Sequence, residues 1–257
     1  MKLFKILVIS LLFSNQAYAE LTLEVGNWDY PPFIVTDNQD PKGIFAEVLK
    51  TACFNTHVNC KTSTYSIKGM TAMGIAKELD ILYALNKNEE RSIWTDWSPA
   101  IVNSSADIFV LKTNPLNYAK PSDLENYTIG ALMGSNFYKM LKEAIMDIKG
   151  AKAEGSDTIK IALDKLAGGR YANQGTTGAV MTNKDVGADL IKREGMTSLF
   201  RDAGVFESTP YYFCIVKDSK NKEARELVSA EIKRLMSDPA YVETLRAKYH
   251  FDIPLAK

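Results

Sequence analysis

Apolar positions along this chain alternate between two periodicities. Leu21-Thr22-Leu23-Glu24-Val25 reads as a strand. From Gly43 the spacing turns helical, with Ile44, Phe45, Val48, Leu49 and Ala52 on one face, and Val58 to Thr62 returns to strand. Ile67 to Ala76 predicts a second helix whose Met70, Met73 and Ala76 point inward as core filler. The apolar run that follows, closing at Asp80 to Leu85, suits one strand of a parallel sheet buried on both faces. Strand, helix, strand, helix, strand in that order implies parallel pairing with right-handed crossovers.

A strand at Ala106 to Lys112 breaks at Asn114-Pro115, and the pattern restarts. Tyr127 to Ala131 predicts a strand, and Ser135 caps a helix carrying Phe137, Met140, Leu141, Ala144, Ile145 and Ile148 on its apolar face. A strand at Ala151 to Glu154 leads to a helix capped by Asp157 and ended by Gly168-Gly169. Gly178 to Thr182 is a strand with Asn183 at its carboxyl end, followed by a helix over Lys184 to Arg193. Tyr211 to Val216 returns as a strand, and helices over Asn221 to Met236 and Pro239 to Tyr249 close the chain. A second α/β unit inserted in the first accounts for this order.

Chemistry concentrates where apolar runs stop. Ligands of open α/β sheets collect outside the carboxyl ends of the strands, and Asn86 to Pro99 follows such an end with one guanidinium, Arg91. A planar guanidinium can take both oxygens of a carboxylate. Two readings of Arg91 stand at this point: a ligand grip, or a surface residue paired with Glu89 or Glu90. After the first strand, Trp28-Asp29-Tyr30-Pro31-Pro32-Phe33 holds its aromatics on a stiff loop, where Tyr30 offers a ring face to a ligand or Trp28, Tyr30 and Phe33 together cap the core. The helix begun at Ser135 offers free backbone N–H groups to an anion, or is simply capped.

The first nineteen residues read as a cleaved leader: Lys2 and Lys5, an apolar run from Ile6 to Phe13 too short to span a bilayer, and Ala17-Tyr18-Ala19 before the expected cleavage point. An exported chain starting at Glu20 and resting in a periplasm is the expectation, with no cysteine at the cleavage point to carry a lipid. The whole chain balances 31 basic against 31 acidic residues. Without the two leader lysines the net charge is about −2, and no basic run suggests nucleic acid. Three cysteines in an oxidising compartment suggest one bridge. Cys53 and Cys60 are the natural pair, whose closure adds on the order of 2 to 3 kcal/mol. Cys214, in an apolar strand, reads as a small buried side chain. Two histidines with no close Cys/His spacing make a zinc site unexpected, and neither lies where a general base would be needed.

Val25-Gly26, Asp29 to Phe33, Lys42-Gly43, Leu79-Asp80, Glu90-Arg91, Asp96-Trp97-Ser98, Ile129-Gly130 with Gly134-Ser135, Gly169-Arg170 and Tyr212 to Lys217 occur in an order and at intervals that resemble the extracellular solute-binding proteins of family 3, the receptors of polar amino acid uptake. The resemblance covers essentially the whole chain after the leader. It implies an α/β, two-lobed periplasmic-binding-protein type II fold, each lobe a mixed sheet flanked by helices, joined by two hinge strands. The lobes expected are 20–107 with 209–257, and an inserted 108–208. It further implies that Arg91 grips a ligand carboxylate with Asn86 and Asn88 beside it. Tyr30 stacks over the ligand with Asp29 adjacent, and Ser135 and Asn136 complete the carboxylate site from the second lobe. The family's second aromatic falls at Tyr65 or, counting back from Asp80 without a gap, at Ile67.

Two departures stand out. Where the family places an aspartate for the ligand's ammonium group, this chain has Asn183, an amide without charge. The acid that usually follows Gly-Arg is missing after Arg170 unless Tyr171 to Thr177 is an insertion. The function implied is capture of a small carboxylate-bearing ligand, an amino acid or related organic acid, by a monomer serving an ABC-type membrane permease. A sensory or accessory role with another membrane partner is the alternative, and a lyase or dehydratase on the same scaffold a remoter one. No cofactor, metal or catalytic residue is expected.

Overall fold

The structure, a computed structural model, describes residues 21–37, 40–172 and 177–256. The leader and residues 173–176 of the suspected insertion lie outside the described residues. In chain order, β1 (Thr22–Asn27), a hairpin of β2 (Val35–Asp37) and β3 (Asp40–Lys42), α1 (Ile44–Thr56), β4 (Asn59–Thr64), α2 (Ile67–Ile75) and β5 (Ile81–Leu85) come first. Next are α3 (Glu89–Trp94), β6 (Thr95–Trp97) and β7 (Ser105–Leu111). A second series follows: β8 (Tyr127–Leu132), α4 (Asn136–Ala144), β9 (Lys152–Ser156), α5 (Ile159–Ala167), β10 (Thr177–Asn183) and α6 (Lys184–Arg193). β11 (Phe200–Ser208), β12 (Tyr212–Val216), α7 (Lys222–Met236) and α8 (Pro239–Tyr249) complete the chain.

These strands form two five-stranded sheets of matching design, β4-β1-β5-β12-β6 and β9-β8-β10-β7-β11. In each, three parallel strands linked by helices are followed by two antiparallel ones. The expected restart of the pattern is therefore a repeat of topology, and the molecule is two-lobed. The connections near residues 103 and 209 run between the sheets, where Val102 bridges Tyr211 and Ser105 pairs with Ser208.

Local chemistry explains most boundaries. All five residues of β5 are buried, as a strand covered on both faces requires. In β1, an added Cβ at Gly26 would lie 2.6 Å from Leu79 Cδ1 and 2.9 Å from Met70 Cγ, so only glycine lets α2 pack this close. Asp80 ties the sheet to the last helices, accepting from the Glu24 amide and from Asn221 Nδ2, both at 2.8 Å. Both histidines end helices in the left-handed conformation, His57 after α1 and His250 after α8, each exposed. Cys53 and Cys60 form the disulfide, joining α1 to β4.

Several details depart from the sequence reading. Thr158, not Asp157, caps α5 by accepting from the Ile161 amide. Helix α4 ends at Ala144 rather than running on to Ile148. The hairpin β2–β3, the short α3 and β6, and the long β11 carry no strong periodic signal in sequence; β6 and β11 are set by partners distant along the chain, β12 and β7.

Candidate functional site

Arg91 is placed by two local devices. The Asn88 side chain caps α3, accepting from the Arg91 amide at 2.8 Å, and so starts a helical turn immediately after β5. Within β5 a bulge sets the approach. Tyr212 pairs with Leu85 and Cys214 with Leu82, so Tyr83 and Ala84 together oppose Phe213 alone, and Ala84 sits at φ 47°. Bulges next to sites re-aim the side chains that follow. Here they turn Leu85 and Asn86 toward the space between the lobes.

The Arg91 side chain is 7% exposed. Its Nη1 donates to the Asn86 backbone oxygen at 3.0 Å and to Asn86 Oδ1 at 2.7 Å. No carboxylate lies within ion-pair range among the described residues, and Nε and Nη2 have no hydrogen-bond partner there. Neither Glu89 nor Glu90 pairs with it, so of the two sequence readings the surface ion pair is the one the structure lacks. Burial pulls the guanidinium pKa below its ordinary value, yet a group of such high basicity stays charged. An anchored, buried, uncompensated cation is costly unless something supplies the missing charge.

A small cavity of about 30 Å³ lies beside it. The first lobe contributes Trp28, Tyr30, Ile67, Asn86 and Arg91, and the second Leu132, Ser135, Asn136, Phe137 and Met181, with Tyr211 between them. A wider cavity of about 560 Å³ shares Arg91, Ser135 and Asn136 and adds Asn88, Lys68, Lys139 and Lys142. The inner space has room for a water or two, far less than an amino acid.

The lobes touch across this space. Asn88 Nδ2 donates to Asn136 Oδ1 at 3.1 Å across it, while on the first-lobe side the Tyr30 and Tyr211 hydroxyls are 3.0 Å apart. Asn183 Nδ2 reaches the Tyr211 hydroxyl at 3.3 Å and Ser104 Oγ at 2.9 Å. Burial raises the Tyr30 pKa well above its usual value and pushes that of Tyr211 up to about 12, so both remain neutral donors at physiological pH. On the second-lobe side, Ser135 caps α4 by accepting from the Tyr138 amide at 3.1 Å.

Of the expected site residues, Tyr30, Asn86, Arg91, Ser135 and Asn136 line the inner cavity and Asn88 the wider one. Asn183 is wholly buried behind Tyr211 as the cap of α6, its Oδ1 accepting from the Asp185 and Val186 amides. Two residues are placed elsewhere. Asp29 is exposed and accepts from the Thr36 amide and hydroxyl, both at 3.0 Å, bracing its own loop. Tyr65 continues β4 through its amide bond to Asn27 and packs on the core, while Ile67, two residues on in α2, takes the cavity position. The ungapped count back from Asp80 identifies Ile67, and α2 starts too soon after β4 for Tyr65 to turn inward.

Trp28, Tyr211, Phe137 and Met181 are cavity residues the sequence reading assigned to no site. Trp28 could have been found from its place two residues before Tyr30, on which it stacks with ring centroids 4.1 Å apart. Tyr211 arrives from the far end of the chain, and nothing local marks it. Cys214 is buried behind Arg91, its thiol pKa pushed up by burial, and is no nucleophile.

No helix among the described residues is long and apolar enough to cross a membrane, and no group of three or more potential metal-ligating side chains occurs among them. No curated protein sequence matches the chain. Solved structures share its fold. An ancestral arginine-binding protein bound to arginine aligns with TM-score 0.74 at 23% identity, over 90% of this chain and 99% of that one. A histidine kinase sensor domain similar to periplasmic binding proteins gives 0.75 at 20%, over 91% and 99%. An ancestral amino acid-binding protein, described as a precursor of cyclohexadienyl dehydratase, gives 0.70 at 22%, over 89% and 95%. Those identities carry the architecture alone, but the family model spans nearly the whole described chain. Matching it over residues 23–251, this protein belongs to the bacterial extracellular solute-binding proteins, family 3.

Proposed function

We propose that this chain captures a small carboxylate-bearing ligand, an amino acid or related organic acid, between lobes formed by residues 20–107 with 209–257 and by residues 108–208. The observation that supports this most directly is the buried Arg91 fork, anchored by Asn86 on one edge and unpartnered on the other, at the mouth of an interlobe cavity. A carboxylate there would receive both remaining donors and cancel the buried charge. Ser135 and Asn136, at the start of α4, stand opposite to contribute from the second lobe.

With only about 30 Å³ inside, the lobes must spread to admit a ligand and shut again over it, the hinge motion of two-lobed receptors. Residues 102–105 and 208–211 are the crossings about which they would move. We read this closure as binding without chemistry: among the described residues both histidines are exposed helix ends, and Cys214 is buried. Export to a periplasm, where the Cys53–Cys60 bridge would persist, and delivery to an ABC-type importer complete the reading. A membrane sensor in place of a permease would use the same closure.

The test is a thermal-unfolding screen of the mature protein with carboxylic acids. A concentration-dependent rise in Tm that vanishes in Arg91→Ala is the expected result. If that variant and the wild type respond alike, the site is wrong.

A further inference from the structure

We propose that the cleft selects carboxylates that carry no ammonium group, keto, hydroxy or unsubstituted acids rather than α-amino acids; this rests on the carboxylate reading above. Of the side chains lining the inner cavity, Arg91 is ionised and none is an aspartate or glutamate. The adjoining wider cavity adds three lysines against a single acid, Glu90, which is exposed on the first turn of α3. An α-ammonium enclosed here would be stripped of water beside a guanidinium, with no acidic side chain in the wall to meet it and its own carboxylate already taken by Arg91. Desolvation and like-charge repulsion therefore act in the same direction.

Neutral acceptors do not supply the missing charge. An ammonium has three protons to place. Asn183 stands where an acid would hold them, but its Oδ1 is occupied by two helix amides at 2.9 and 3.1 Å, and its Nδ2 is a donor directed at Tyr211. Asn86 Oδ1 already accepts from Arg91, Asn136 Oδ1 from Asn88, and Ser135 Oγ from the Tyr138 amide, and what they leave, with the Thr182, Tyr30 and Tyr211 hydroxyls, is uncharged and does not neutralise an ammonium. The aromatic alternative is reduced as well, because Trp28 and Tyr30 cover one face of each other. Asp185 is the acid nearest in sequence to Asn183. Its carboxylate receives Ser104 Oγ and borders a separate cavity beside Lys184. The apolar part of the inner wall, which includes Ile67, Leu132, Phe137 and Met181, suits an apolar or aromatic body attached to the carboxylate.

Matched pairs read this directly, because each differs at the α-position while keeping its carboxylate and carbon skeleton: leucine against its keto acid, phenylalanine against phenylpropanoate, glutamate against glutarate. Each is titrated at up to millimolar concentration by thermal shift and calorimetry, into the wild type and into Arg91→Ala. The expected result is that in at least one pair the ammonium-free member binds tenfold or more tighter than its amino acid, and that Arg91→Ala abolishes that binding. Amino acids binding as well as or better than their partners, with the binding lost in Arg91→Ala, overturn this inference and leave the carboxylate site standing. Silence from every probe, or binding indifferent to Arg91→Ala, overturns the carboxylate reading and this inference with it.

Discussion

Among the described residues two guanidiniums are buried without a carboxylate, Arg91 and Arg225, and their settings differ in one respect. Arg91, after β5, and Arg225, in α7, are 7% and 9% exposed, and each sends Nη1 to the backbone and side-chain oxygens of one neighbouring residue, Asn86 or Ser219. Arg225 closes the turn before its own helix. Arg91 instead stands where two lobes meet, with its other edge beside a cavity. Burial and anchoring alone thus describe a structural arginine as well as a binding one. The open edge beside an interlobe space is what points to a ligand.

Substitutions can break that distinction. The largest expected effect is on binding: Arg91→Ala weakens any carboxylate that binds the wild type by about 30-fold or more, since losing one partner of a buried charged pair costs roughly 2 to 5 kcal/mol. Calorimetry on the folded variant measures it. Arg225→Ala should do the reverse, leaving affinity unchanged while lowering unfolding free energy by about 1 to 3 kcal/mol, because the buried Ser219 oxygens lose their donor. A change in ligand affinity there would dissolve the contrast between the two sites.

Arg91→Lys sharpens it. The charge survives but not the two-pronged geometry, so affinity should fall by about tenfold, against no comparable loss for Lys at position 225. Equal affinity for arginine and lysine at position 91 would mean that charge alone is read.

The smallest effect concerns a buried group of opposite sign. Asp107 in β7 is wholly buried, and neither of its oxygens has a hydrogen-bond partner. Burial first, and the neighbouring Asp202 carboxylate next, push its pKa up to about 7. A carboxyl group raised in the folded state favours folding while protonated. Its contribution is fully present below the unfolded pKa near 4 and is lost as pH rises through about 7. Asp107→Asn should therefore flatten the fall in Tm between about pH 5 and about pH 8. Parallel profiles for the two proteins would show that Asp107 does not titrate in this window.

Much of the architecture was legible because it is local. Continuous apolar runs such as Ile81 to Leu85, helical spacing in α1 and α6, and caps such as Ser135 need only near neighbours to be right. The parallel cores followed from the alternation of these elements. β11 was not legible. Its residues alternate weakly, and its pairing with β7, interrupted by two irregularities, joins positions nearly a hundred residues apart. Tyr65 and Asp29 show the same limit at the site, since a residue type in the right neighbourhood says nothing of the direction its side chain takes.

The amino-acid sequence by itself determined two α/β halves, the Cys53–Cys60 bridge and an arginine at a strand's carboxyl end, because each rests on spacing within a short stretch of chain. Tertiary structure decided that Arg91 lacks a counter-ion, that Tyr211 closes over Tyr30, and that Asn183 is buried behind Tyr211 with its acceptor oxygen taken by two helix amides. Those outcomes depend on groups as far apart in the chain as Tyr30 and Tyr211, or as Asn88 and Asn136 across the cleft, which only the folded packing brings within a hydrogen bond.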